Sequence, residues 1–297
     1  MTDSAHATPL IFGEVLFDCF PDGNSVLGGA PFNVAWHLQA FGMSPLVISR
    51  IGNDELGEQV ESAMIDWTMS LTGLQRDPLH PTGSVDISFI NDEPRYSIVE
   101  HRAYDYIDAA SLPGMPEKSL LYHGTLALRN PVSRASFQAL KAQRMGALFM
   151  DVNLRDPWWD RRYVLQLVAE ADWVKLNQDE LKQLGNGDGD VEEQAEDFMR
   201  SHALSGLVVT LGDKGAIAVT DDGRSAAVSP AQKLRVIDTV GAGDAFTSVL
   251  ITGLISEWPL EQTLQRAQAF ASMIVGKQGA TVHDRDFYRA LITDWGL

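Results

Sequence analysis

The chain has 297 residues, 45% of them hydrophobic, with a formal charge of −17 and one cysteine. That length supplies one large domain with a full core, or a large domain carrying a small appendage. The acidity excludes a sequence-independent nucleic-acid or anionic-membrane binder, which needs a basic patch to release counterions or meet lipid charge, and the lone Cys19 excludes an intrachain disulfide or a cysteine zinc cluster.

The opening MTDSAHATPL carries no basic n-region and no apolar h-region, which together with the cysteine count predicts a cytoplasmic protein. Continuous apolar runs of strand length then recur: LIFGEVLF, PLVISRIG, LLYHGTL, ALFMDVN, ADWVKLN and GLVVTLG. Continuous runs mean strands buried on both faces, hence an α/β fold built on a parallel sheet covered by helices. Between them NVAWHLQAFG, SRASFQALKAQRMG and TLQRAQAFASMIVGKQG read as helices ending on a glycine C-cap. Residues 16–30 and 82–104 break the rhythm with paired strand patterns around the turn signals Asp22-Gly23-Asn24 and Asn91-Asp92-Glu93. They predict a small sheet projecting from the core as a lid, whose exposed edge favours a homodimer by strand pairing. GNGDGD, Gly185 to Asp190, lacks EF-hand ligand spacing and reads as a solvated turn. The run from Ala245 to Ile255 is interrupted by Thr247, Ser248, Thr252 and Gly253 and falls short of the roughly 18–20 residues of a membrane span.

The chemistry concentrates in VIDTVGAGDAF. The strand-like LRVID runs into Gly241-Ala242-Gly243, and DAFTSVLITGLI follows with helical composition. Small residues at a helix N-terminus expose unpaired N–H groups at the positive end of the dipole, so phosphate is held without a P-loop lysine. Asp244 beside that phosphate is repelled unless a reaction needs it, and a base for an attacking hydroxyl is such a need. A tight turn with an acid in the helix's first turn is the alternative.

DTVGAGDAF resembles the C-terminal signature of the PfkB, or ribokinase-like, sugar kinases, and GGAPFNVAWHLQAFG, Gly28 to Gly42, resembles their N-terminal signature. RIGNDELGEQV, HGTLAL, DVNLRDPWW, VKLNQDELKQL and VVTLGDKGA follow in family order, so the resemblance covers nearly the whole chain. It implies a single ribokinase-like domain over residues 1–297, a parallel-sheet core sandwiched by helices with a small β-sheet lid. It makes Asp244 the base and the amides of Gly241, Ala242 and Gly243 the anion hole. It assigns Asp18, Gly29, Asn33 and Arg155 to the sugar, and Asn177, Thr210, Gly212, Gly215 and Gly276 to ATP. Glu180 would meet Mg2+ through water, while Asp238 and the Val240 carbonyl would hold a monovalent cation such as K+. The usual proline at position 152 is valine here. His101, His123, Trp158 and Trp159 carry only packing readings.

The resemblance thus implies an ATP-dependent sugar kinase of the fructokinase-like branch, with sugar and ATP as its partners and no nucleic acid or membrane. 2-Keto-3-deoxygluconate kinase and ribokinase are the alternatives, and a non-catalytic sugar- or nucleotide-binding regulator is the non-enzyme one. An intact Asp244 beside phosphate counts against the regulator. The acceptor reads as a neutral hexose, because residues 1–49 hold Asp3, Glu14, Asp18 and Asp22 with no lysine or arginine. A sugar phosphate needs clustered cations. Arg95, Arg102 and Arg155 could converge on one carboxylate, which keeps the sugar acid as runner-up.

Overall fold

The computed structural model describes residues 7–90, 93–185, 187, 189–230 and 236–297. The chain enters through β1 (Thr8–Phe12) and leaves the core for β2 (Leu16–Cys19) and β3 (Ser25–Gly28). It returns as α1 (Ala30–Ala40), β4 (Leu46–Gly52), α2 (Glu55–Asp66) and β5 (Leu74–Asp77), then departs again as β6 (Gly83–Ile90) and β7 (Glu93–Ile98). The rest alternates: β8 (Ser119–His123), α3 (Pro131–Ala142), β9 (Leu148–Asp151), α4 (Arg161–Glu170), β10 (Trp173–Asn177), α5 (Gln178–Leu184), α6 (Val191–His202) and β11 (Gly206–Thr210). It closes with β12 (Ala216–Thr220), β13 (Ser225–Val228), α7 (Ala242–Ile255), α8 (Leu260–Val275) and α9 (Arg285–Trp295).

Among the described residues, nine strands form the central sheet in the order β13-β12-β11-β10-β9-β8-β1-β4-β5, and four form the second in the order β3-β2-β6-β7. Strands from β5 to β11 in that order pair parallel, as the continuous apolar runs predict, but β12 and β13 complete the edge as an antiparallel hairpin. Burial on both faces is visible along β1, where Ile11 joins the core under α1, α7 and α8 while Leu10 and Phe12 join the core under α3 and α4.

LIFGEVLF is not one strand. Gly13 breaks it at φ +154, with Pro31 Cγ where a Cβ would stand, and the two halves pair in different sheets. Of the three glycine-capped helices only α1 closes on a left-handed glycine, Gly42 at φ +79. Helix α3 stops at Ala142, and Gly146 is instead required by Ser119 O, 1.8 Å from its would-be Cβ. Helix α8 ends on Gly276 at φ −82, an ordinary helical value. Leu234 and Arg235 of LRVID lie outside the described residues, and Val236 to Asp238 are not strand: the amides of Ile237 and Asp238 donate to Val275 O at the end of α8. Asn91 and Asp92, like Asn186 and Asp188, also lie outside the described residues. Asp190 caps α6, accepting from the Glu192 and Glu193 amides.

Candidate active site

Parallel strands deliver their last residues to one edge, so Glu14, Asp151, Asn177 and Thr210 arrive together where β1, β9, β10 and β11 stop. Helices α1 and α7 start over the same edge. Gly29 caps α1 at φ +106, packed so closely that a Cβ would lie 2.8 Å from Glu14 O. Gly241 caps α7 at φ +78 with Ala280 Cβ 2.4 Å from its would-be Cβ, so conformation and space both demand glycine. The first α7 hydrogen bond at Gly241 O comes from Ala245 N at 2.8 Å, which leaves the amides of Gly243 and Asp244 ahead of it without an intrahelical partner among the described residues.

The two helix starts are joined by one bond. Asn33, buried on α1, donates from Nδ2 to Asp244 Oδ2 at 2.8 Å. Burial pushes the Asp244 carboxyl up to about 6; Asp151 adds to this, while the Asn33 bond, Lys175 and Arg155 oppose it. Below Asp244 lies an ion pair: Lys175 Nζ sits 3.1 Å from both oxygens of Asp151, and Thr247 Oγ1 donates to Asp151 Oδ2 at 2.9 Å. Burial opposes the Lys175 charge, but Asp151 and Glu180 outweigh it and leave its pKa above the ordinary lysine value.

On the side of the second sheet, Asp18 stands half-buried on β2, raised by burial and drawn back by the exposed Arg155. Glu14, 4% exposed, is pushed up to about 7 by burial, with its own backbone amide, Arg155 and Arg129 pulling the other way and Asp244 adding to the rise. Its Oε2 has no hydrogen-bond partner among the described residues. The three arginines do not converge. In the lid sheet Asp18 pairs with Val85, whereas Arg95 pairs with Ser88 and so occupies the opposite face. Arg102 is electrostatically coupled to Asp54 and Cys19, leaving Arg155 alone beside Asp18, Glu14 and Asp244.

Asn177 caps α5 in a capping box with Glu180. Both Glu180 oxygens are engaged, Oε1 by the Leu154 amide and Oε2 by the Asn177 amide, each at 2.8 Å. Thr210 ends β11 and Gly212 follows at φ +63 with open space around it, whereas Gly215 is required by Val228 O, 1.8 Å from its would-be Cβ. Asp238 accepts from Val240 N at 2.9 Å and Gly279 N at 3.1 Å, tying its loop to the segment after α8 that carries Gly276. No group of three or more His, Cys, Asp or Glu among the described residues forms a preassembled metal site, nor is any described helix long and apolar enough to cross a membrane.

Sequence reasoning did not single out Glu14, Asp151, Lys175 or Thr247. An acid closing one apolar strand and a lysine inside another were the available signals. His123 is fully buried against Phe137 and held neutral, its pKa lowered to about 4 by burial. His101 meets the Tyr106 hydroxyl, Trp158 lies under the Arg129 guanidinium, and Trp159 donates to Asp156, all packing roles.

A family model described as pfkB family carbohydrate kinase matches residues 19–285. Among similar proteins, a fructokinase of Escherichia coli is 28% identical, covering 91% of this chain and 94% of its own length. Fructokinase-2 of Zea mays is also 28% identical, over 91% of this chain and 88% of its own. The crystal structure of fructokinase from Vibrio cholerae O395 in fructose, ADP and calcium ion bound form superposes with a TM-score of 0.79 at 27% identity, over 93% of this chain and 94% of that one.

Proposed function

The chain belongs to the pfkB family of carbohydrate kinases, ATP-dependent sugar kinases, and from that premise we propose that it phosphorylates a primary hydroxyl of a neutral hexose, fructose. The bond from Asn33 to Asp244 carries the reading, because it ties an acceptor-binding helix to the base. With Oδ2 engaged by Asn33, Oδ1 is the oxygen left to take the hydroxyl proton. The alkoxide oxygen then bonds to the γ-phosphorus, the bond to the bridging oxygen breaks, and ADP leaves. The turn Gly241-Ala242-Gly243 meets the charge that develops on the phosphoryl oxygens through the unpartnered amides of Gly243 and Asp244, the Ala242 amide donating to Thr239 O at 3.4 Å, in a geometry preset by Gly241, where only glycine fits.

Asp18, Gly29 and Asn33 form the acceptor site in this reading, with Arg155 at its rim; Asn177, Thr210, Gly212, Gly215 and Gly276 line the ATP side. Magnesium enters with ATP, and Glu180 suits it through water, since both carboxylate oxygens already accept amides. The Asp238 loop with the Val240 carbonyl would take potassium. An acidic protein using ATP and carrying one cysteine suits the cytoplasm.

Three observations support fructose. Relatives named fructokinase align over most of the chain. Arg95 faces away from Asp18. The Arg129 guanidinium is neutralised by Asp105, with Nε at 2.7 Å and Nη2 at 2.9 Å from its oxygens. A charged acceptor would enter a site holding Glu14, Asp18 and Asp244 against Arg155, and one unmatched carboxylate costs roughly a hundredfold or more in binding. Coupled ADP-release assays should give kcat/KM for fructose at least about tenfold above that for fructose 6-phosphate and 2-keto-3-deoxygluconate. Preference for either charged sugar would overturn the neutral acceptor.

A further inference from the structure

Gly243 poses a question that its backbone does not answer. It lies within α7, not among the glycines with positive φ, so any residue could adopt its conformation. The space explains it: a Cβ there would lie 3.3 Å from Lys175 Nζ. That ammonium cannot swing aside, because both oxygens of the buried Asp151 hold it at 3.1 Å and Thr247, one turn further along α7, donates to the same carboxylate at 2.9 Å. The ends of β9 and β10 and the first turns of α7 are thereby locked into one unit. Lys175 is 7% exposed and Asp151 1%, so water and salt screen this charge little.

We propose that Lys175 is a positioning residue for phosphoryl transfer: clamped by Asp151 and Thr247, its ammonium is the fixed positive charge beneath Gly243 that holds the anion hole in place. The glycine-rich loop lacks a P-loop lysine because its cation rises from the strand below. Glycine at 243 lets the loop settle onto it. This role rests on Gly241 to Asp244 being the transfer site, as proposed above.

The test is kcat and KM for Lys175→Met, Asp151→Asn and the double variant, with fructose and magnesium ATP and circular dichroism as the folding check. Residues that support a reacting shell typically contribute about 10- to 100-fold. Lys175→Met should lose kcat by that factor with the sugar KM within about threefold of wild type. Removing the lysine alone leaves Asp151 buried and unpaired, so Lys175→Met can fail by misfolding. The double variant restores buried neutrality and keeps an acceptor for Thr247. It should fold and stay as slow as the single, while Asp151→Asn alone releases the clamp on the ammonium and should also lose kcat, by no more than the double variant does. Recovery of the double variant to near wild-type kcat, a sugar KM rising in step with the loss, or Asp151→Asn with wild-type kcat would overturn the proposal. Asp244→Asn is the control and should lose about 100- to 10,000-fold. An active Asp244→Asn would sink the base reading, while an inactive one beside an active double variant would sink only the role of Lys175.

Discussion

Asp244 and Glu14 are two buried carboxyls, and the charge of Asp244 adds to the rise in the proton affinity of Glu14. Burial is the main cause for both, placing Asp244 at about 6 and Glu14 at about 7. A base works only when ionised, so kcat/KM should fall as pH drops below about 6. The consequence for stability runs the other way. A folded-state carboxyl raised above its unfolded value favours the fold at low pH and loses that contribution as pH rises through the folded pKa. For Glu14, moved from 4.5 to about 7, the cost of ionisation reaches about 3 kcal/mol at pH 8 and stays below about 1 kcal/mol at pH 5. Glu14→Gln should therefore be more stable than wild type by that margin at pH 8, with the gain shrinking toward pH 5, as read by urea denaturation. An equal gain at both pH values would show that ionisation is not what the substitution relieves. Asp244 and Asn33 were legible because each sits in a sequence signature; Glu14 was not, because an acid beside a strand end is ordinary until burial and the loss of partners are known. Lys175 was hidden for a similar reason, since the pairing of β9 with β10 across 24 residues is what brings Asp151 to it.

At the level of elements, apolar runs gave the strands reliably because burial on both faces leaves little other reading. They did not give the register or the edge: an antiparallel hairpin and a parallel crossover look alike as isolated runs, so the β12–β13 edge went unread. Glycines misled where they answered to packing, as Gly146 does. The lid strands were legible by their turns, and the structure adds their attachments. Gly13 releases the chain into β2, and Thr82 enters β6 held by Asp54, which accepts the Thr82 amide at 2.7 Å and hydroxyl at 2.6 Å while capping α2 through Gly57 N. The sheet is thus fixed at its roots, where Phe17 and Val85 join the core, while its outer side chains Phe89 and Tyr96 stand exposed. Closure over sugar would exclude water that otherwise competes for the phosphoryl group. Amide exchange in residues 16–28 and 83–98 should slow together when fructose and a non-hydrolysable ATP analogue are both saturating. Slowing in only one stretch, or in neither, would show that the sheet does not close as a unit.

Across the whole molecule, the lid sheet leaves apolar surface that the core does not cover. Pairing Asp18 with Val26 and Val85, and Ile87 with Tyr96, puts these side chains on one face together with Phe89, two residues beyond Ile87. Near the core that face is buried, with Val85 and Ile87 each 6% exposed, but Val26 is 47%, Phe89 55% and Tyr96 60% exposed. On the opposite face Phe17 and Ser84 are buried at the root of the sheet, while Asp86, Ser88 and Arg95 further out are exposed to water. Three large apolar groups on the face that carries Asp18, beyond the reach of the chain's own core, fit a partner with the same need. A second copy offers the same apolar face, and two lids packed together would satisfy both by an isologous contact. Edge pairing alone would leave these side chains in water, so face packing explains more of the surface. We therefore expect the protein to sediment as a dimer at micromolar concentration and Phe89→Asp to sediment as a monomer, since each dimer would bury two unpaired carboxylates at the contact. The weakened contact should also raise the sugar KM, because the lid face that carries Asp18 loses its support. A wild-type chain that sediments as a monomer, or a Phe89→Asp dimer of unchanged affinity, would rule out this face as the interface.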